Sequence, residues 1–314
     1  MAYLLLAVTP LLWAGNWTLA KDLVRRVDPV DVVLLRWCMA ALVLIPIVCW
    51  REGALPRPRR GEWLGILLCG LTGMAGYNTL QYAAQRYTTN INGTLIYTAT
   101  PALTFLLAVP LLGERVTARR VTGVVLSLAG TAWILTGGSL RALIELRFNP
   151  GDLLMLAAAA SWAIYTVATR FVTRRLSSLA VTLYASATGA VALLGVRAVA
   201  VSAGGPLLTV SGRDWLVVLY IGVVASAVAY LCWNEGVSRI GAGPASIFGN
   251  LLPLYTAVLS TTFLGERVTS GQVIGGLAVL AGVYLVAAPA PSPRRAAQPA
   301  RIDTTWQSSR QEGP

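Results

Sequence analysis

The chain has 314 residues, of which 56% are hydrophobic and 12% charged, with a net charge of +12 and no histidine. Ordinary soluble domains carry about twice that share of charge, so a water-soluble globular fold is excluded and a membrane protein is expected. The basic residues lie in short connectors between apolar runs and make no sustained stripe, which argues against nucleic acid as a partner and for a lipid bilayer.

Ten spans are predicted, near 2–21, 31–50, 62–85, 90–112, 118–137, 152–172, 178–200, 213–235, 243–264 and 270–289. Each is close to the roughly 20 helical residues that a hydrocarbon core demands. Span 1 lacks a basic segment ahead of its apolar run and ends in Lys21 rather than a small-residue cleavage site, so it reads as a retained helix and not a signal peptide. Cys38, Cys49, Cys69 and Cys232 all fall inside apolar segments, where they read as small core residues. Residues 290–314, rich in Pro, Arg, Gln and Ser, read as a disordered cytoplasmic tail.

Span 4 and its exit carry the clearest internal repeat. Pro101 to Thr117, PALTFLLAVPLLGERVT, returns as PLYTAVLSTTFLGERVT at Pro253 to Thr269, with nine of seventeen residues identical and no gap. The likeness extends further: Trp13 falls on Trp162, Lys21 on Arg170, and Arg25 with Arg26 on Arg174 with Arg175. Residues 1–140 and 150–289 are therefore read as two five-helix halves, and an odd number of spans turns the second half upside down in the membrane. Fourteen Lys and Arg residues fall in the even connectors and tail against nine in the odd connectors, which places both termini in the cytoplasm. GERVT itself reads as a tight helical hairpin. Gly113 and Gly265 suit the left-handed position after a helix, and Thr269 with Gln272 spells a capping box.

Six spans show polar and aromatic residues at helical spacing, which marks faces turned to protein or water. In span 1 these are Thr9, Trp13, Asn16 and Trp17; in span 3, Tyr77, Asn78, Gln81, Tyr82 and Gln85; in span 4, Asn90, Thr94, Tyr97, Pro101 and Thr104. Their counterparts are Trp162, Tyr165, Thr166 and Thr169 in span 6, Ser226, Tyr230, Trp233 and Asn234 in span 8, and Ser246, Asn250, Pro253 and Thr256 in span 9. The candidate substrate-binding set is Trp13, Asn16, Tyr77, Asn78, Tyr82, Tyr97, Trp162, Tyr165, Tyr230, Ser246 and Asn250, around a central cavity between the halves. Single stripes have plainer readings: tyrosines and tryptophans such as Tyr87, Trp63, Trp215 and Trp17 suit an interfacial belt, and small polar residues suit hydrogen bonds between helices. Pro101 and Pro253 are the helix-kink candidates. Each removes the hydrogen bond to the carbonyl four residues earlier, that of Tyr97 or Gly249, which could then accept from a substrate ammonium.

All thirteen acids lie in connectors, at helix ends or in the tail. Proton-driven transporters place such groups within their spans, so facilitated diffusion or exchange is expected, and a requirement for an imposed pH gradient would overturn it. No metal or cofactor motif, phosphate loop or catalytic constellation is written in the chain, so no enzyme is expected. Only Arg36 and Arg170 lie within spans, both close enough to an end to reach the interface. Gly70, Gly73 and Gly76 in span 3 and Gly271 and Gly275 in span 10 permit close helix approach, and the spacing at Gly271 leaves a dimer seam open; oligomeric state is not legible.

On Pro29 and Arg36 at the start of span 2 and the doubled P-x11-GERVT, residues 1–290 resemble the drug/metabolite transporter superfamily, and specifically its EamA-type ten-helix members. The resemblance implies an all-α membrane protein of two inverted five-helix repeats in a bacterial inner membrane, exporting small metabolites by alternating access. Within that group the chain looks most like the YddG-type exporters of aromatic and other neutral amino acids, whose cavity residues would fall on Tyr77, Tyr82, Tyr97 and Trp162. Symmetry is incomplete, since the position matching Arg36 is Ala185. Small multidrug relatives carry a glutamate in span 1 that is missing here. The alternatives are a same-fold exporter of nucleotide sugars, purines or drugs, and a scaffold or lipid-handling subunit that transports nothing.

Overall fold

The computed structural model describes residues 2–113, 116–141, 149–206, 208–240, 248–249 and 251–287. Thirteen α-helices run through them: α1 (Ala2–Leu23), α2 (Pro29–Glu52), α3 (Trp63–Cys69), α4 (Tyr77–Ala84), α5 (Asn90–Tyr97), α6 (Thr100–Leu112), α7 (Ala118–Leu135), α8 (Pro150–Val172), α9 (Ser178–Ser202), α10 (Gly212–Leu219), α11 (Ala229–Ile240), α12 (Leu251–Leu264) and α13 (Ser270–Ala287). There is no strand among the described residues. By length and composition, six helical stretches can cross a membrane, and α12 and α13 are shorter apolar helices. Over the described residues the predicted spans coincide with helices or broken helices; residues 243–247 and 250 of span 9 lie outside them.

The starts follow local chemistry. Asp28 accepts from the Val30 amide at 2.9 Å, Asn149 from Gly151 at 2.7 Å, and Ser177 from Ala180 at 3.0 Å. Spans 2 and 6 begin two residues before their predicted starts because Pro29 and Pro150 follow these caps, at the one helical position where a missing N–H costs nothing. Gly113 and Gly265 both take φ of 66°, the left-handed value expected at the GERVT turns. Thr269 and Gln272 exchange hydrogen bonds of 2.9 and 3.2 Å, which completes the expected capping box.

Two interruptions recur at matching places. Span 3 is α3 and α4 joined by a π-helical stretch, Gly70–Gly76, and span 8 is α10 and α11 joined by another, Tyr220–Val228. In each a side chain reaches back five residues, Asn78 to the Gly73 carbonyl at 3.1 Å and Ser226 to that of Ile221 at 2.8 Å. Span 4 breaks at Thr98 and Ala99, so Pro101 opens α6 rather than bending a continuous helix.

Packing runs largely between the halves. Span 1 lies against spans 8 and 9, as span 6 lies against spans 3 and 4, and spans 2, 4 and 5 pair with spans 7, 9 and 10. The pairings are unchanged when spans 1–5 are exchanged with 6–10. The largest is between α7 and α13, where a Cβ on Gly130 would lie 2.7 Å from the Gly275 carbonyl oxygen and one on Gly282 would lie 2.5 Å from that of Gly123. Gly271 likewise faces Gly137 and Gly138. This glycine face is occupied within the chain, which removes the ground for a dimer seam at Gly271.

Candidate functional site

Where spans 1, 2, 3, 4, 6, 8 and 9 converge, a void of about 30 Å³ is lined by Trp13, Asn16, Tyr77, Asn78, Tyr97, Trp162 and Tyr230 from the predicted set, together with Trp17, Arg36, Gln81 and Leu252. That is room for about two waters, so this conformation is closed around the site. One wall is aromatic: the Tyr77 and Trp162 centroids are 4.8 Å apart, Tyr77 and Tyr97 5.6 Å, and Trp162 and Tyr165 4.9 Å. Opposite, Trp13 packs on Tyr230 at 5.9 Å and on Trp233 at 5.5 Å, while its indole donates to the Ala225 carbonyl at 3.1 Å. That carbonyl belongs to the π stretch of span 8.

Spans 1, 2 and 3 share a buried polar row. Arg36 donates to the Tyr82 hydroxyl at 2.8 Å, and that hydroxyl donates to Asn16 Oδ1 at 2.8 Å. Tyr82 is fully buried and stands behind the void with Tyr165, not on its surface. Pro253 is buried in α12; Ser246 and Asn250 lie outside the described residues, as do the side chains of Pro101, Arg170 and Asn234.

Three expectations change. Arg36 does not reach the interface: it is 4% exposed and lies over the Trp37 ring at 4.9 Å. The signal for it was an arginine within a 24-residue apolar helix, discounted because long side chains at helix ends usually extend outward. The Tyr97 carbonyl, released by Pro101, is already engaged within the chain, because the Thr100 hydroxyl donates to it at 2.5 Å. Trp17 is no belt residue; it is buried, and its carbonyl accepts from Gln85 and Asn90 at 2.9 and 3.0 Å. Tyr87, by contrast, is exposed, as a belt position requires.

One turn beyond that Trp17 lock opens a second, wider cavity of about 540 Å³, at the end of the bundle where spans 1, 3, 5 and 9 terminate. Lys21, Arg25, Thr88, Asn92, Glu266 and Gln272 are among its lining residues. Lys21 donates to the carbonyls of Gln85, at 2.7 Å, and of Thr88. Glu266, the glutamate of the second GERVT, accepts from the Asn90 and Ile91 amides at 2.8 and 3.1 Å and so caps α5 in the other half. In the sequence GERVT reads only as a hairpin; nothing local tells which helix end a connector glutamate will meet.

The all-helical fold, the paired halves and an enclosed polar site among apolar spans define a multi-pass membrane transporter. The EamA-like transporter family profile matches twice, over residues 1–136 and 149–288, and the chain belongs to that family, within the drug/metabolite transporter superfamily. It is 30% identical over 281 residues to the uncharacterized transporter YyaM of Bacillus subtilis, covering 90% of this chain and 92% of that one. A Streptantibioticus cattleyicolor protein named as a probable terminal-alkyne amino-acid exporter is 29% identical over 232 residues, 73% of this chain and 75% of the relative. A solved crystal structure superposes with a TM-score of 0.60 at 22% identity, over 90% of this chain and 94% of the other, a likeness of fold.

Proposed function

We propose that this transporter is a facilitative exporter of neutral, preferentially aromatic and hydrophobic, amino acids, working by alternating access in a bacterial inner membrane with both termini in the cytoplasm. The observation that carries the reading is the closed site itself: rigid aromatic walls from Tyr77, Tyr97, Trp162, Trp13 and Tyr230 enclose a short row of polar atoms. An apolar side chain gains area from such walls, and a zwitterionic head needs the polar row. The name of the S. cattleyicolor relative supports an amino-acid cargo. Residues 1–140 and 150–289 are the units that rock against each other. With the termini inside, the wide cavity faces away from the cytoplasm and is the exit path.

Counterflow in proteoliposomes tests this. Phenylalanine, tryptophan and leucine should exchange faster than glutamate or lysine, with or without an imposed pH gradient. Trp162→Ala and Tyr82→Ala should each slow exchange about tenfold or more, in line with the loss of one well-packed contact or of the Tyr82 bridge to Arg36, and slow it more than they lower folded yield. Unchanged exchange in both variants would remove these residues from the site.

A further inference from the structure

Arg36 is a buried cation with no carboxylate paired to it among the described residues. One of its η nitrogens serves the Tyr82 hydroxyl, but its Nε has no partner. The carboxylates of the described helices are committed elsewhere: Asp31 to Arg197 at 2.7 Å, Asp152 to Thr88 and Asn92, Asp22 and Asp214 to Arg26 at 2.7 and 2.8 Å, Glu52 to Ser177, and Glu235 to Arg51 at 3.8 Å. Glu266 is taken by the α5 amides. Burial of a charge is sustained where a partner of opposite sign or a full set of hydrogen bonds compensates it, and here the protein supplies only part of the set.

Two more residues that line the same void carry unpartnered buried atoms. Gln81 leaves Nε2 unused. Asn78 directs its Nδ2 at the Gly73 and Met74 carbonyls, both 3.1 Å away, which identifies the other end of the amide as Oδ1, and that acceptor is buried and unused. The residues that line the void therefore carry two unsatisfied donors, one of them cationic, and one unsatisfied acceptor.

We infer, resting on the amino-acid reading above, that Arg36 and Gln81 take the carboxylate of the transported solute and Asn78 Oδ1 its ammonium. Arg36 is then a specificity-determining residue and a carboxylate is obligatory in the cargo. The same pairing explains why Arg36 has no counterpart at Ala185: one zwitterion brings one carboxylate, and a second buried guanidinium would stand unpaired. Since the void holds about two waters, the aromatic walls must part before a solute enters.

The experiment is counterflow by the full chain in proteoliposomes with four probes of one side chain: phenylalanine, phenylalanine amide, phenethylamine and 3-phenyllactate. Phenylalanine should exceed the amide and the amine by about tenfold or more, the worth of a charge-assisted pair in a site closed to water. Arg36→Gln should bring that preference to within about twofold, and Arg36→Lys, which keeps the charge but not the fork, should keep part of it. The comparison of probes on the unaltered protein stands even where a variant folds poorly. Amide and amino acid exchanging equally, or a folded Arg36→Gln retaining the preference, overturns the pairing and leaves an amino-acid-like cargo in place. Exchange of phenyllactate without phenylalanine keeps the Arg36 pairing and overturns the amino-acid reading, and exchange of no probe overturns both.

Discussion

Tyr82 shows how much one hydroxyl can hold together. Its oxygen accepts from Arg36 and donates to Asn16, so it joins spans 1, 2 and 3 through a single atom. Tyr82→Phe keeps the ring and its packing but leaves a guanidinium nitrogen and an amide oxygen short of a partner. A loss of about 1–3 kcal/mol is expected from the two stranded groups. Thermal unfolding in detergent should register it, together with weaker discrimination between phenylalanine and its amide. Full stability and full discrimination in this variant would show that Arg36 does not depend on the bridge. The stripe Asn78, Gln81, Tyr82, Gln85 was legible in sequence because periodicity survives in α4, below the π stretch. Which of its members line the void was not legible. Tyr77, one position off the stripe, faces the aromatic wall, whereas Tyr82 turns to Arg36.

At the level of elements, the ends of helices matter most. The N-terminus of α5 has two amides satisfied by Glu266 from the opposite half, so a break there couples the entrance of span 4 to the turn after span 9. Loss of a carboxylate at such a position costs about 1 kcal/mol. Glu266→Ala is therefore expected to speed hydrogen exchange of the amides at 90–97 several-fold, with Glu266→Gln in between. Exchange unaffected by the alanine variant would mean that the Thr89 side chain, which accepts from the Asn92 amide at 3.1 Å, suffices as a cap. Nearby, Gln272 donates to Asn92 at 3.0 Å and Asn92 to Asp152 at 2.8 Å, which ties spans 10, 4 and 6 at the same end. The GERVT hairpin was legible from its glycine and capping box, since both are contacts within a few residues. The reach of Glu266 was not, because it crosses 176 positions of chain.

Over the whole molecule, spans 5 and 10 form a seam in which glycines let the backbones approach closely. Gly130→Leu or Gly282→Val would put carbons against the backbone oxygens of Gly275 or Gly123, and overpacking of this kind costs about 1–3 kcal/mol. Lower melting temperatures are expected for both, with the preference for phenylalanine over its amide unchanged, because the seam lies outside the site. A variant that shifts that preference without loss of stability would place the seam in the transport path. The amino-acid sequence by itself determined the membrane class, the duplication, the place of the described spans to within a few residues and the faces that carry polar residues. All of these follow from composition, short-range capping and a 3.6-residue period, which are properties of neighbours in the chain. Only the tertiary structure decided that Arg36 points inward with no carboxylate paired to it among the described residues, that the Thr100 hydroxyl engages the Tyr97 carbonyl, and that the glycines of span 10 meet span 5. Each of these depends on which partner lies within about 3 Å once the halves have packed, and in a bilayer, where apolar faces do not discriminate among one another, the choice falls to backbone approach and buried polar atoms.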